Sequence, residues 1–543
     1  MSTEPEPSPL TAVDEARADG LLDLLRTDLV TADFTVSALE ALWGEDAAAA
    51  LHRGERVPAR RVLDARRGEH GASAGLATLA ELFVLGVPVP RAELAEALAG
   101  LGVDGAIELG LVGDADGPGR EASVRARLDL RPYAFTDASG SGEWWIISDL
   151  GELALGHALG EHHVLGVGGA SMTLSGLMLP TPARRVLDLG TGCGIQAMHA
   201  SRFAEHIVAT DISPRALEIA RLNLVLNGID GVELRLGSLF EPVAGERFDR
   251  IVSNPPFVIT PRIEGVPEYD YRDGGMVGDA LVEAVIRGAY DHLEPGGVAQ
   301  MLGNWEYRAD GAADGAAAGP ADGLERVGGW AAALEHWVIE REVQHVTEYA
   351  ETWIRDGGTR PGTAEFDRLY DAWLDDFAAR GVERVGFGYV LLRRADAAAS
   401  AAPRARLARL ERLHGPLGAN EAGLGAHLAE CLVERDRQAG LDDTALAAAR
   451  FTTAGDVTEE RHYWPGDDDP TAMLLRQGGG FGRAISLDTG LAALVGASDG
   501  ELSVGAIVAA LAQLLEVDET ALAAELLPAV RTLVDDGMLR FAD

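Results

Sequence analysis

Residues 186–194 read VLDLGTGCG, an apolar run that ends at Asp188 and Leu189 and passes into Gly190, Gly192 and Gly194. An apolar run stopped by glycine suits a strand buried on both faces, and the glycines let a ligand approach the backbone closely. Alone the turn is a weak signal, because dinucleotide-binding domains use a similar device after their first strand. Its surroundings are more informative. Between residues 184 and 394 the runs RRVLDLG, HIVATDI, GVELRLG, FDRIVSN, GVAQMLGNW, WVIEREV and VGFGYVLL are separated by helical patterns. That rhythm predicts a parallel, seven-stranded, Rossmann-like α/β sheet with crossover connections.

Three further segments fall at the ends of these strands. Asp211, in ATDIS, lies seventeen residues beyond Gly194, where a carboxylate can accept both hydroxyls of a ribose. GSLF at 237–240 ends another strand, and FDRIVSNPPF sets Asn254, Pro255, Pro256 and Phe257 directly after a fourth. Ligands of open α/β sheets bind at strand carboxyl ends, so all four segments are expected to share one crevice.

Together DLGTGCG, TDIS and NPPF resemble the class I S-adenosylmethionine-dependent methyltransferases over about residues 160–397. Asn-Pro-Pro followed by an aromatic residue further resembles the HemK-like group, which methylates the side-chain amide of glutamine in peptide release factors. Ribosomal RNA guanine-N2 and adenine-N6 methyltransferases share the tetrapeptide. The resemblance implies S-adenosylmethionine as cofactor, with Gly190, Thr191, Gly192, Cys193 and Gly194 around its methionyl part, Asp211 at the ribose and Ile212 also in the cofactor site. It implies that Asp188 orients the glycine loop and the cofactor amine, and that Leu239 packs on adenine. Ser238 stands where many relatives carry aspartate, and Asn254 borders both cofactor and acceptor.

The chemistry of the tetrapeptide suits an amide or exocyclic nitrogen. Such a nitrogen is a poor nucleophile because its lone pair is delocalised, so it must be turned towards the methyl and stripped of water. The Asn254 side-chain oxygen and the Pro255 carbonyl can each accept one N–H, Pro255 and Pro256 stiffen the turn, and Phe257 can stack on a planar acceptor. Two other stretches are candidates for the same site. HVLGVGGASMTLSG, 163–176, is read as a loop whose glycines, Ser171 and Thr173 close over the cofactor; Tyr271, Arg272 and Asp273, in YRDGGMVGD, are candidates for touching substrate.

Length and composition set the wider frame. The chain has 543 residues with 47% hydrophobic and 24% charged, which fits several ordinary globular domains and excludes a collagen-like or globally disordered chain. All 46 basic residues are arginine, so lysine Schiff-base chemistry is excluded. Cys193 and Cys431 are too few for a zinc cluster or a disulfide framework, and no metal site is expected at His162 and His163 or in GDDDP, 466–470. A net charge of −40 repels phosphate backbones and anionic membranes, although Arg53, Arg56, Arg60, Arg61, Arg66 and Arg67 with Arg125 and Arg127 can form a basic, nucleic-acid-binding face. MSTEPEPSPL lacks the parts of a signal peptide and no run suits a membrane helix, so a cytoplasmic protein without membrane contact is expected.

The domains are expected at 1–155, a mostly helical winged-helix-like unit for substrate recognition; 156–397, the methyltransferase domain with a helical insert at 346–380; and 398–543, a helical linker and a second winged-helix-like α+β unit. Within the first, VRARLDL should turn Val124, Ala126, Leu128 and Leu130 inward and Arg125, Arg127 and Asp129 outward. An amphipathic helix is expected near Arg404–Arg412. The function expected is N-methylation of a macromolecule, either glutamine in a translation protein or a base amine in rRNA. The alternatives are a small-metabolite N-methyltransferase and a cofactor-sensing nucleic-acid or peptide binder without turnover.

Overall fold

Strands buried on both faces need apolar residues at every position, and the chain supplies them in the runs that build its central sheet. The computed structural model describes residues 15–65, 72–115, 122–155, 159–160, 162–263, 265–267, 269, 272–309, 322–396 and 405–542. The sheet contains β1 (Ala183–Leu189), β2 (Ala204–Asp211), β3 (Val232–Leu236), β4 (Phe248–Ser253), β5 (Leu293–Arg308), β6 (Glu335–His345), β7 (Val382–Arg393) and β8 (Ala408–Arg412). Their order is β8-β6-β7-β5-β4-β1-β2-β3. From β3 to β5 neighbours run parallel as expected, but β7 departs from the expected parallel sheet and lies antiparallel to β5 and β6, between which it is inserted. Alternate residues feed opposite faces: Val186 and Ile207 pack into one apolar cluster, Leu187 and Val208 into another.

All seven expected strands are present, and β8 makes an eighth. Its residues, ARLER, belong to the segment expected as an amphipathic helix, and they pair in parallel with the edge of β6 instead. Partners decide this. Arg409 is paired with Asp536, while Glu411 accepts from Trp337 Nε1 at 2.8 Å and from Arg483 at 2.7 Å. The alternating charges are thus satisfied on an extended chain, and the central sheet extends past the boundary expected at 397. The linker stretch 397–404 and the insert 310–321 lie outside the described residues.

Other readings are corrected by burial. Gly- and Ser-rich as it is, 163–176 contains the start of a helix, Gly169–Leu177, because Leu174 and Leu177 gain full burial three residues apart. Asp129, expected to be outward, is buried, 5% exposed and bonded to Arg131 at 2.9 Å. The insert at 346–380 is two helices, Val346–Asp356 and Ala364–Ala379. GASDGELS, 496–503, reads as a turn from its Gly, Ser and Asp, but pairing with Arg450–Thr453 makes Asp499–Ser503 a strand.

The N-terminal region carries short helices, a three-stranded antiparallel sheet (Val89–Pro90, Ser123–Ala126, Val112–Asp114) and a hairpin, Leu128–Asp137 with Gly140–Asp149. The C-terminal region repeats the mixture of helices with three-stranded antiparallel sheets, one of them Asp499–Ser503, Arg450–Thr453 and Leu539–Phe541. The N-terminal hairpin is locked to the helix Pro214–Leu226 by a matched pair of amides. Ile147 N–H donates to Asn223 Oδ1 at 2.6 Å and Asn223 Nδ2 donates to the Ile147 carbonyl at 2.9 Å; Asn227 exchanges the same two bonds with Trp145. Four residues of helix rise about 6 Å and two of strand about 6.6 Å, so one side-chain row can serve as an extra strand edge.

Asn223 is fully buried and also donates to the Cys193 carbonyl at 2.8 Å, so it couples the hairpin to the glycine loop. Asn223→Ala should lower stability by about 2–4 kcal/mol, because the Ile147 N–H loses its acceptor inside the core. The shift of the urea midpoint checks this.

Candidate active site

The ends of β1, β2 and β4 open on one cavity of about 600 Å³. Gly190–Cys193, Asp211, Ile212, Ser238, Leu239 and Asn254–Phe257 all line it. Asp188 and Gly194 stand behind this wall rather than on it. Gly194 has φ of 90°, and a Cβ there would lie 3.1 Å from that of Ala220, so glycine alone lets the next helix approach.

Asp188, with no exposed surface, shapes the loop from beneath. Its Oδ2 accepts the Thr191 hydroxyl at 2.6 Å and the Ala197 N–H at 3.0 Å, whereas Oδ1 is buried without a partner. Burial, helped by the negative charge of Asp211, pushes its carboxyl up to about 7 against the hydrogen bonds from Thr191 and Ala197. Asp211 is aimed by two backbone donors, Gly192 N–H to Oδ2 and Ser213 N–H to Oδ1, each 2.9 Å. A carboxylate has about four acceptor positions, so hydroxyls can still be taken from the cavity side.

The NPPF turn is tied at both ends. Before it, the Ser253 hydroxyl donates to the Leu189 carbonyl at 2.8 Å, joining the ends of β4 and β1. After it, Val258 N–H donates to the Arg272 carbonyl at 2.9 Å and Gly274 N–H to that of Pro256 at 3.1 Å. Between these ties the side-chain oxygen of Asn254 is buried and accepts nothing. Leaving such an acceptor unpaired costs about 1–3 kcal/mol, which a ligand N–H would recover.

Arg272 and Asp273 line the cavity, yet their polar atoms serve the protein. Asp273 accepts from Thr260 at 2.6 Å, Tyr269 N–H at 2.7 Å and Arg272 at 3.1 Å; Arg272 also donates to the Trp353 carbonyl at 2.9 Å. They brace the turn, while Tyr271 lies outside the described residues. Ser171 lines the cavity and its carbonyl receives Gln196 Nε2 at 2.8 Å; Thr173 does not line it. Gln196, Arg262, Tyr269, Trp353 and Asp356 are lining residues that the motifs did not mark.

The remaining candidates carry little chemistry. Burial raises the Cys193 thiol to about 11, so it stays protonated. Among the described residues no group of His, Cys, Asp and Glu is arranged to hold a metal ion, and no helix is long and apolar enough to cross a membrane. Arg53, Arg60, Arg61, Arg125 and Arg127 are exposed, Arg56 donates to the Leu85 carbonyl at 3.1 Å, and Arg66 and Arg67 lie outside the described residues.

Comparison with known proteins agrees with this geometry. Residues 167–312 match the methyltransferase small domain, so the methyltransferase expectation is met for this region. Residues 31–127 and 435–541 match two domains of unknown function, DUF7059 and DUF7782. The chain is 40% identical over 128 residues to the ribosomal protein uL3 glutamine methyltransferase of Bradyrhizobium diazoefficiens, covering 22% of this chain and 40% of that one. It is 39% identical over 124 residues to the release factor glutamine methyltransferase of Geobacter sulfurreducens, covering 21% and 43%. Ribosomal RNA small subunit methyltransferase C of Escherichia coli is 33% identical over 141 residues, covering 26% and 36%. The chain thus spans less than half the length of these relatives.

The raised Asp188 carboxyl has a measurable consequence. Below its ordinary value near 3.8 both folded and unfolded forms are protonated; between there and about 7 only the folded form holds the proton, so stability falls as pH rises across that window. Asp188→Asn keeps an acceptor for Thr191 and Ala197 but carries no charge. Thermal unfolding of the two proteins from pH 4 to pH 8 should therefore diverge, with the wild type losing stability relative to the variant up to about pH 7.

Proposed function

We propose that the protein is an S-adenosylmethionine-dependent N-methyltransferase whose acceptor is a side-chain amide, the glutamine of a translation protein. The observation that carries this reading is the buried, unpartnered side-chain oxygen of Asn254, a residue that lines the cavity beside the glycine loop. An acceptor-only atom held there by two prolines calls for an N–H from outside. The glutamine methyltransferases among the relatives act on nitrogens of that kind, and a net charge of −40 favours a protein acceptor over a phosphate backbone.

The residues fit the cofactor. Asp211 takes the ribose hydroxyls, Leu239 and Ile212 offer apolar cover for the adenine with Ser238 beside it, and Gly190–Cys193 present backbone to the amino-acid arm. Asp188, beneath the loop, is held close to its ionisation point, so a bound ammonium group draws it to the charged form. When bound, the cofactor supplies an electrophilic methyl on a positively charged sulfur.

The chain's own residues do the remaining work. Asn254 Oδ1 and the Pro255 carbonyl accept the two amide hydrogens, which fixes the plane of the amide and points its lone pair across the cavity. Pro255 and Pro256 hold both acceptors still, and Phe257 covers one face of the amide and keeps water off. No general base is needed beforehand, since the nitrogen loses its proton to solvent after it has gained the methyl. The flanking regions, each combining helices with a three-stranded sheet, suit winged-helix-like modules that select the macromolecule, with one limit near 155 and the other after β8 rather than at 397. Translation substrates imply a cytoplasmic location.

Incubation with cofactor carrying a tritiated methyl and a cell lysate tests the proposal. Label should enter protein and be recovered as methylglutamine; label recovered in RNA would move the acceptor to a base amine. Asn254→Ala should lower kcat on the order of 10²-fold while leaving cofactor affinity near wild type, because it frees the acceptor's orientation. Asp211→Asn should do the reverse, weakening cofactor Kd about 10- to 100-fold through loss of charge-assisted hydrogen bonds.

A further inference from the structure

One wall of the cavity comes from outside the matched methyltransferase region. Trp353 and Asp356, on the helix Val346–Asp356, line the cavity together with Phe257, Tyr269 and Arg272. This helix lies beyond residue 312, where the family match ends. It is not a loose overhang. Tyr349 Oη accepts the Ile259 N–H at 3.0 Å, two residues past the NPPF turn, and also receives Asn304 Nδ2 at 2.6 Å. Trp353 is one helical turn further on, so it shares the face of the helix that Tyr349 anchors.

A second clamp holds the other end. The buried Arg272 guanidinium donates to the Trp353 carbonyl at 2.9 Å and to Asp356 at 3.1 Å, and lies 4.6 Å from the Tyr269 ring and 5.9 Å from that of Trp353. Arg272 is thus a positioning residue. The segment that braces the back of NPPF also fixes Trp353 over the acceptor side. The indole remains half-buried although its neighbours Tyr349, Ile354 and Trp373 are fully packed. Trp353 is also a lining residue of the cavity.

We propose that Trp353 is a specificity-determining residue that closes the acceptor half of the site around a slender side-chain amide. This rests on the methyltransferase reading above. Phe257 and Trp353 belong to different elements of one wall, and aromatic surfaces so placed favour a flat, narrow group and exclude water from it. A cavity of about 600 Å³ is modest within the usual range of roughly 300–1,000 Å³ for single-ligand sites, leaving room for a cofactor and one inserted side chain.

Binding of three probes to the full chain, measured by calorimetry, tests this without requiring turnover. The first is S-adenosylhomocysteine. The second is an adenosine in which nitrogen replaces the sulfur and carries both the amino-acid arm and a propyl chain ending in a carboxamide. The third is the same scaffold tethered to the N2 amine of guanine. Wild type should bind the carboxamide probe more tightly than S-adenosylhomocysteine. Trp353→Ala should weaken the carboxamide probe about tenfold and leave S-adenosylhomocysteine unchanged, and Trp353→Phe should restore most of the loss. The guanine probe should bind wild type no better than S-adenosylhomocysteine and gain affinity in Trp353→Ala. Equal losses for the first two probes would mean a structural role, and an unchanged carboxamide Kd would remove the indole from the acceptor site. Preference of wild type for guanine would overturn the amide selectivity. Each of those results overturns this inference while leaving the methyltransferase reading standing, whereas absence of S-adenosylhomocysteine binding to wild type would sink both.

Discussion

A carboxylate sealed beneath a glycine loop is the constraint from which the site is built. Asp188 uses one oxygen to hold Thr191 and the start of the following helix, which sets the curve of the loop. The curve carries the Gly192 N–H to Asp211, and Asp211 in turn fixes Ser213, the cap of the helix Pro214–Leu226. That helix bears Asn223 and Asn227, on which the N-terminal hairpin is registered. A short chain of hydrogen bonds therefore runs from one buried acid to the docking of a separate region. Asp188 itself keeps one buried oxygen without a partner, and burial holds it close to its ionisation point.

The side of the cavity that bears NPPF is organised on a different principle, stiffness. Two prolines, the Ser253 bond to β1 and the backbone ties of Val258 and Gly274 leave the turn little freedom. Against this rigid edge the protein sets a wall from its own insert, fastened by Tyr349 and Arg272. A site divided in this way can keep its cofactor half in common with relatives while its acceptor half is set by residues far along the chain.

The parts of the fold legible in the sequence are those where one physical demand acts alone. Strands covered on both faces must be apolar throughout, so β1, β2, β4, β5 and β7 announce themselves. Edge strands carry mixed demands: ARLER in β8 is polar because its partners are Asp536, Arg483 and Trp337, none of them near in sequence. The same holds for Gly169–Leu177, where glycine and serine argue for a loop and the burial of Leu174 and Leu177 outweighs them. Simple alternation predicts an exposed Asp129, yet packing buries it on the face it shares with Arg131, to which it is bonded.

By itself the sequence determined the sheet's inner strands, the glycine loop, Asp211 and the NPPF turn, because each is a local pattern whose geometry follows from a few adjacent residues. Tertiary structure alone decided that Asp188 and Asn254 each keep a buried oxygen without a partner, that Arg272 and Asp273 brace rather than reach, and that Trp353 borders the cavity. Whether a polar atom is satisfied depends on every neighbour that folding brings to it, and those neighbours come from segments that no local spacing connects.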